Sequence, residues 1–319
     1  MTNSPDVFIP DVSIIIANWN GEKILENCLR SIYAQTRTAT FEIILSDDCS
    51  TDHSLALVRE KFPDVKVVSS DVNTGYAQTN NRALPFANGR YILLLNNDTV
   101  FENDVLHEFV RFMDNNPTVG VCGGRLLNPD GSIQHSFGSF PSITVELAEI
   151  FFLHRLLPFL QLPRLGTVPK NLSRPQEVDM IVGAGLFIRT ALARELGLYD
   201  ERFEAYFEDT DLCYRAAESG WKVVFLPAPK ITHLFGYSYG NESREKAERK
   251  LKLWLQSMSA FCFKHYSPAK ARFILRLRLI GFAKGFLIAT LRRWIAGDNR
   301  FENDLFRCRL GVAFLRAIL

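Results

Sequence analysis

The sequence predicts an α/β fold in which a doubly wound, mixed but mostly parallel sheet is covered by helices on both faces and followed by a C-terminal helical segment. Three observations carry that prediction. Short runs of β-branched and leucine residues alternate with amphipathic stretches. The runs lack the polar alternation of a sheet with one wet face. Polar clusters follow the runs, where a parallel sheet gathers its carboxyl ends and its ligands.

The first run, Val12 to Ala17, ends in Asn18-Trp19-Asn20-Gly21, a buried strand feeding a turn. From Glu22 to Gln35 the apolar residues Ile24, Leu25, Cys28, Leu29, Ile32 and Tyr33 trace one helical face. Phe41 to Ser46 is the second strand, Ser50 or Thr51 caps a helix reaching about Lys61, and Val65 to Val68 is the third. A helix is expected around Gln78 to Ala87, with Pro85 kinking or shortening it. The strand Tyr91 to Leu95, a helix from Asp104 to Asn115 and the strand Val119 to Cys122 continue the alternation.

Residues 130 to 180, divided by Pro141, Pro158, Pro163, Pro169 and Pro175, are less regular and suit a lid or an acceptor-binding insertion. Order returns at Val182 to Ile188, in helices near Ala191 to Leu196 and Phe207 to Ser219, and in the strand Lys222 to Leu226. Two long helical stretches follow, Ser243 to Tyr266 and Pro268 to Ala296. The expected division is therefore a catalytic domain over 1–240 and a basic amphipathic helical segment over 241–319.

The formal net charge is only +2, but residues 264 to 319 hold twelve Lys/Arg against three Asp/Glu. The remainder is net acidic, which suits a neutral or acidic body joined to a tail for an anionic surface. In the tail Phe273, Leu277, Ile280, Lys284, Leu287 and Trp294 mix with Arg272, Arg276, Arg278, Arg292 and Arg293. That mixture fits a helix in a lipid headgroup layer better than a helix packed on the protein with solvated charges, because the clustered charge exceeds what packing alone requires. No run of eighteen uncharged apolar residues suggests a simple span. The six cysteines form no C-x-x-C pair, and Met1 to Asp6 has neither a basic nor an apolar leader pattern, so a reducing cytosol is expected.

Four polar groups stand at strand ends. Asp47-Asp48 follows the second strand, where an aspartate reads a nucleoside or caps the next helix. Asn96-Asn97-Asp98 offers a carboxylate and amide oxygens for a hard divalent cation, or an Asx turn. Glu208-Asp209-Thr210-Asp211 opens a helix. There, paired carboxylates in a cleft make a general base, or simply complement the helix dipole. His233 follows Pro227-Ala228-Pro229 and is either structural or a metal ligand, while Gly183 and Gly185 permit close approach of a sugar or a tight turn.

Taken in order, Val-Ser-Ile-Ile-Ile-Ala-Asn-Trp-Asn from Val12, Ser-Asp-Asp-Cys-Ser-Thr-Asp from Ser46, Asn-Thr-Gly from Asn73, Leu-Leu-Asn-Asn-Asp from Leu94, Gly-Ala-Gly from Gly183, Phe-Glu-Asp-Thr-Asp-Leu-Cys-Tyr-Arg from Phe207 and His233 resemble the inverting family 2 glycosyltransferases of the GT-A fold, over about residues 10 to 240. The Asn-Asn-Asp and Glu-Asp-x-Asp-Leu forms are similar to the subgroup containing bacterial rhamnosyltransferases. The resemblance implies Asp209 as the base that deprotonates an acceptor hydroxyl, and Asp98 with His233 as ligands of a divalent metal, Mn or Mg, on the donor diphosphate. It implies a donor-nucleotide set of Ala17, Trp19, Asp48, Asn81 and Asn97, and an acceptor set of Gly183, Gly185 and Glu208.

Three positions depart from the family pattern. Ala17 replaces a hydroxyl-bearing residue, Asn97 replaces a carboxylate, and Asn80-Asn81 replaces Arg-Asn. The Gln-x-x-Arg-Trp signature of processive synthases is absent, so addition of a single sugar is expected. The implied partners are a nucleotide-sugar donor, with dTDP-rhamnose expected first and UDP- or GDP-sugars as alternatives, and a glycan or lipid-linked acceptor of cell-surface polysaccharide assembly. The implied location is the cytoplasmic face of the membrane, held peripherally, with no role for nucleic acid. Rival readings are a nucleotidyltransferase of sugar activation, for which Asn20-Gly21-Glu22-Lys23 is a poor triphosphate loop, and a non-catalytic glycan-binding scaffold on the same fold. A dinucleotide oxidoreductase lacks its G-x-G-x-x-G.

Overall fold

A computed structural model describes residues 9–153, 173–234, 243–296 and 301–319. Pro158, Pro163 and Pro169 of the irregular stretch lie outside the described residues. Two compact units are present. Of the described residues, the first holds 9–137, 173–201 and 208–234, and the second holds 138–153, 202–207, 243–296 and 301–319. The C-terminal helices thus cluster with residues 138–153 and 202–207 as well as with one another.

The first unit opens with β1 (Val12–Asn18), α1 (Leu25–Gln35), β2 (Phe41–Asp48), α2 (Ser54–Lys61) and β3 (Lys66–Ser70). The next helix, α3 (Tyr76–Ala83), ends in a 3-10 turn at Leu84–Phe86, because Pro85 cannot continue the helical ladder. There follow β4 (Tyr91–Asn96), the three-residue β5 (Thr99–Phe101), α4 (Val105–Asn115) and β6 (Val119–Leu127). The short β7 (Phe137–Gly138) stands at the boundary of the unit, and α5 (Ile143–Ile150) belongs to the second. The chain then returns through β8 (Gln176–Glu177), β9 (Met180–Ile181), β10 (Gly185–Arg189), α6 (Thr190–Leu196), α7 (Glu208–Glu218) and β11 (Lys222–His233).

The sheet runs β3-β2-β1-β4-β10-β6-β11-β5, with β8 on β11. Strands β1 to β4, β6 and β11 point one way, while β10, β5 and β8 oppose them. Val12, Ile14, Ile15 and Ile16 of β1 and Ile92 to Leu95 of β4 are fully buried, as their unbroken apolar runs require. Phe109 of α4 stacks on Phe187 of β10 with centroids 4.7 Å apart, and burial of each ring contributes ~1.5–3 kcal/mol.

Two departures from the expected order position the site. Antiparallel β10 slots between β4 and β6 with Gly185 opposite Leu95, bringing its amino end to the edge where β4 delivers Asn96 to Asp98. Strand β11 does not stop at Leu226. A register shift carries it past Pro227-Ala228-Pro229, a break that tolerates prolines without amide donors, and it runs on to His233 opposite Thr99.

The second unit packs α5, α8 (Arg244–His265), α9 (Pro268–Ala296) and α10 (Glu302–Ile318), the last of which the periodicity left unassigned. Glu146 of α5 is buried and accepts from Arg278 Nη2 at 2.7 Å, while Lys284 donates to the Ile150 carbonyl. Two cations of the basic tail are therefore committed internally. Gly311 of α10 sits against the Phe282 ring, where a Cβ would come within 2.6 Å, so the two helices approach closely. No described helix is long and apolar enough to cross a membrane.

Candidate active site

The carboxyl edge of the sheet gathers the polar groups, and a chain of contacts joins them. His233 Nε2 lies 3.3 Å from Asp98 Oδ1 and 3.2 Å from Asn96 Nδ2. The Tyr76 hydroxyl, from the first turn of α3, reaches both Asn96 Oδ1 at 3.0 Å and the Gly183 carbonyl at 3.2 Å. The Gly183 amide in turn donates to Asp209 Oδ2 at 2.9 Å. Asp98 and Asp209, remote in the chain, thus belong to one hydrogen-bonded constellation built on β4, β10, β11, α3 and α7.

The His233 tautomer follows from its partners. Gln134 Oε1 lies 2.7 Å from Nδ1 and can only accept, so Nδ1 carries the proton, and Asn96 Nδ2 donates to Nε2. Gln134 is itself oriented by donating to Asn128 Oδ1 and to the His233 carbonyl. The unprotonated Nε2 edge of the ring therefore lies beside the Asp98 carboxylate, with the Asn96 amide as its donor. Two electron-rich donors facing each other suit a divalent cation, and Asp98 is fixed further because its carbonyl accepts from the Leu234 amide. Among the described residues no group of three or more His, Cys, Asp and Glu is placed to hold a metal; a cation held by these two residues would take its remaining ligands from phosphate and water.

At the other end, Asp209 opens α7. Its Oδ1 accepts from the Thr210 amide at 2.6 Å and its Oδ2 from Gly183. Burial raises its pKa, partly countered by these bonds. Glu208 beside it is raised too, first by burial and then by the Asp209 charge, and its Oε2 has no hydrogen-bond partner among the described residues. Two adjacent carboxyls with raised pKa in a shielded position are the electrostatics expected of a base and its neighbour. The helix behind them is anchored by Asp211, which is fully buried and paired with Arg215 Nε at 2.7 Å. Arg215 also donates to the Leu196 and Leu198 carbonyls.

The residues expected at the nucleotide lie around the neighbouring strand ends. Ala17 pairs with Ser46 and Asn96 across the sheet, and Trp19 beyond it is 60% exposed. Asn97 donates to Asn18 Oδ1 at 2.9 Å, and Asn18 donates to Asp47, Ser50 and Ser54. Gly21 is required here, because a Cβ would collide with Asn18 and come within 2.6 Å of Asn97 Nδ2. Asp48 is buried and accepts from the Thr74 amide and hydroxyl and the Gly75 amide. Burial pulls its pKa up, but these bonds outweigh it and hold the carboxyl below its ordinary value. Asn81 spends its amide on Tyr199 and Glu201. Although Asn80-Asn81 lacks the family's arginine, Arg82 one position on reaches the Thr74 hydroxyl at 2.7 Å and Asp48 at 3.5 Å.

Gly183 and Gly185 separate in role. Gly183 lies beside Asp209, whereas Gly185 is buried within β10, where a Cβ would come within 2.9 Å of Ile231, so packing accounts for its lack of a side chain. Tyr76 and Gln134 were not found by reading the sequence. Neither is charged or part of a motif, and only the paired partner atoms disclose them.

The glycosyl transferase family 2 model matches residues 13–197, more than half of the chain. The chain belongs to glycosyl transferase family 2. It is 30% identical over 229 residues to the O-antigen biosynthesis protein RfbC of Myxococcus xanthus, a match covering 70% of this chain and 17% of that protein. It is 25% identical over 234 residues to the N-acetylglucosaminyl-diphospho-decaprenol L-rhamnosyltransferase of Mycobacterium tuberculosis, covering 68% of this chain and 74% of that enzyme. Among solved structures, the mannosyltransferase PcManGT of Pyrobaculum calidifontis, in complex with GDP-Man and Mn2+, superposes with a TM-score of 0.59 at 17% identity over 96% of this chain and 86% of that one. GalNAc-T7, with UDP, GalNAc and Mn2+, superposes at 0.56 and 18% over 78% and 48%. These likenesses establish the GT-A fold and, with the family match, a glycosyltransferase.

Proposed function

We propose that this glycosyltransferase moves a single sugar, with inversion, from a nucleotide-sugar donor to a glycan or lipid-linked acceptor in cell-surface polysaccharide assembly. The observation that carries the reading is the relay from Asp98 through His233, Asn96, Tyr76 and Gly183 to Asp209. It puts a pair of metal-competent donors and a carboxylate of raised pKa into one constellation, the arrangement that in-line displacement needs.

In this reading Asp209 accepts the proton of the acceptor hydroxyl as that oxygen bonds to the anomeric carbon, and the bond from that carbon to the nucleoside diphosphate breaks with its electron pair leaving on phosphate. Gly183 holds the Asp209 carboxylate through its amide, and Glu208 shares the shielded ground. Asp98 and His233 would hold a Mn or Mg ion, whose charge would offset that of the departing diphosphate. Trp19, Ala17, Asp48, Asn81 and Asn97 line the nucleotide side, directly or through the turns they fix. A rhamnose donor, taken as dTDP-rhamnose, is supported as to its sugar by the name of the mycobacterial L-rhamnosyltransferase, and cell-surface polysaccharide assembly by the O-antigen biosynthesis name of the Myxococcus relative.

The protein works peripherally on the inner membrane face. Supporting this, Phe273, Ile280, Leu287, Leu291 and Trp294 are exposed along α9 at seven-, four- and three-residue spacings, spanning about 32 Å. Exposed Arg272, Arg276, Arg292 and Arg293 accompany them. The decisive experiment is a thermal-shift screen of dTDP-, UDP- and GDP-sugars with and without manganese, followed by a transfer assay with the stabilising donor. Stabilisation that requires both donor and metal, and that Asp98→Ala removes, supports the reading; indifference to every nucleotide sugar rejects it.

A further inference from the structure

The second unit contains a cavity of about 770 Å³ that the transfer chemistry does not use. It is framed by α8, α9 and α10, with Phe152 from beyond α5 and Tyr206 from residues 202–207. Among the described residues of its lining cations outnumber acids, Arg244, Lys250, Arg278, Arg292 and Arg307 against Asp304, with Arg278 paired to buried Glu146. Its apolar wall comprises Leu251, Trp254, Phe282 and Ile288. Two of the cations lie over rings, Arg244 at 4.3 Å from the Phe306 centroid and Arg292 at 6.0 Å from that of Phe301. An arginine guanidinium offers paired N–H donors that match phosphate oxygens. A second, smaller hollow of about 210 Å³ shares Phe152, Arg278, Phe282, Gly285 and Cys308 with it.

A solvated cationic face needs no cavity, and a cavity for an apolar side chain needs no arginines. The two together fit an amphiphile with a multiply charged phosphate head and a hydrocarbon tail. We propose that this groove binds the polyprenyl-diphosphate portion of a lipid-linked acceptor, with the diphosphate against Arg244, Lys250 and Arg307 and the first prenyl units along Trp254, Phe282 and Ile288. The proposal rests on the acceptor class given under Proposed function and assigns its lipid end to a site of its own.

The test is calorimetric titration of the full-length protein with farnesyl diphosphate as a short soluble probe, with the manganese and nucleoside diphosphate identified by the donor screen present in excess to block the donor site. The groove predicts saturable binding that Arg244→Gln/Arg307→Gln weakens at least about tenfold, with inorganic pyrophosphate binding about tenfold more weakly than farnesyl diphosphate. Donor binding by the double variant stays unchanged, so its loss everywhere would instead indict the functional reading. Hydrogen exchange on the wild-type protein keeps the test intact if the variant misfolds: farnesyl diphosphate is to protect residues 244–254, 282–292 and 303–308. Equal binding by wild type and variant, or protection elsewhere, overturns the proposal. Pyrophosphate binding as tight as farnesyl diphosphate reduces the site to an anion site. Loss of adsorption to phosphatidylglycerol vesicles, with farnesyl diphosphate binding unaffected, makes it a headgroup-contacting surface, and either result overturns the assignment.

Discussion

The Nε2 atom of His233 faces Asp98 Oδ1 across 3.3 Å, because Gln134 holds the proton of the same ring on Nδ1 at 2.7 Å. In the proposed function the pair shares a cation, and the uncharged Gln134 sets the ring's tautomer. Replacing Gln134 by Leu frees the ring, and the expected result is a ~10–100-fold weaker manganese response. Titrating manganese against the donor-induced thermal shift measures it. A midpoint unchanged in the variant would show that Gln134 does not orient the ligand.

The carboxyls of Glu208 and Asp209 carry a pH signature. A base with a raised pKa is protonated over a wider acidic range, so transfer is expected to begin falling, as pH drops, above the ordinary carboxylate value. Stability runs the other way. A carboxyl whose folded pKa exceeds its unfolded value favours the fold while protonated, and that contribution is lost as pH rises from the ordinary carboxylate value through the raised one. Glu208→Gln should remove its share of that loss and raise the melting temperature at neutral pH relative to acid pH. Parallel melting curves for wild type and variant across pH 4 to 9, on the order of the range these groups span, would count against burial as the cause.

Tyr76 ties β4 to the loop before β10 with one hydroxyl, donated toward Asn96 and Gly183. Tyr76→Phe keeps the ring and removes those contacts. A stability loss of about 1–2 kcal/mol is expected, with a fall in kcat from misplacement of Gly183 under Asp209. Chemical denaturation and steady-state kinetics of the same preparation read both, and a variant that loses stability without any change in kcat would make Tyr76 structural only.

How far the sequence disclosed this arrangement depended on where each signal resides. The strands β1, β2 and β4 were legible because burial on both faces writes itself as unbroken apolar runs. The three-residue β5 is too short to have a period. The antiparallel entry of β10 between β4 and β6 depends on pairing partners that local pattern does not encode. The prolines at 227 and 229 suggested a turn, yet a register shift lets the strand continue to His233. Within the site, Asp98, Asp209 and His233 were marked by charge and by strand-end position. Tyr76 and Gln134 act by hydrogen bonds to atoms distant in sequence, and Asp48 and Asn81 turned out to hold loops through bonds that no spacing predicts.

The exposed stripe on α9 predicts adsorption. Leu287→Ser/Leu291→Ser/Trp294→Ser should release the protein from anionic vesicles in a flotation assay, and wild-type adsorption should weaken with added salt as the arginines are screened. Removing about 0.8 kcal/mol per lost buried CH₂ leaves a deficit large enough to read as loss of most bound protein. Unaltered flotation would mean that the stripe does not meet lipid.

In the proposed function Asp209, held by the Gly183 amide within the same constellation as Asp98, takes the acceptor's proton. The most direct measurement compares kcat for sugar transfer with donor-nucleotide affinity in Asp209→Asn. The predicted result is a fall in kcat of about 10²–10⁴ with donor binding unchanged. Wild-type turnover by that variant would contradict the claim.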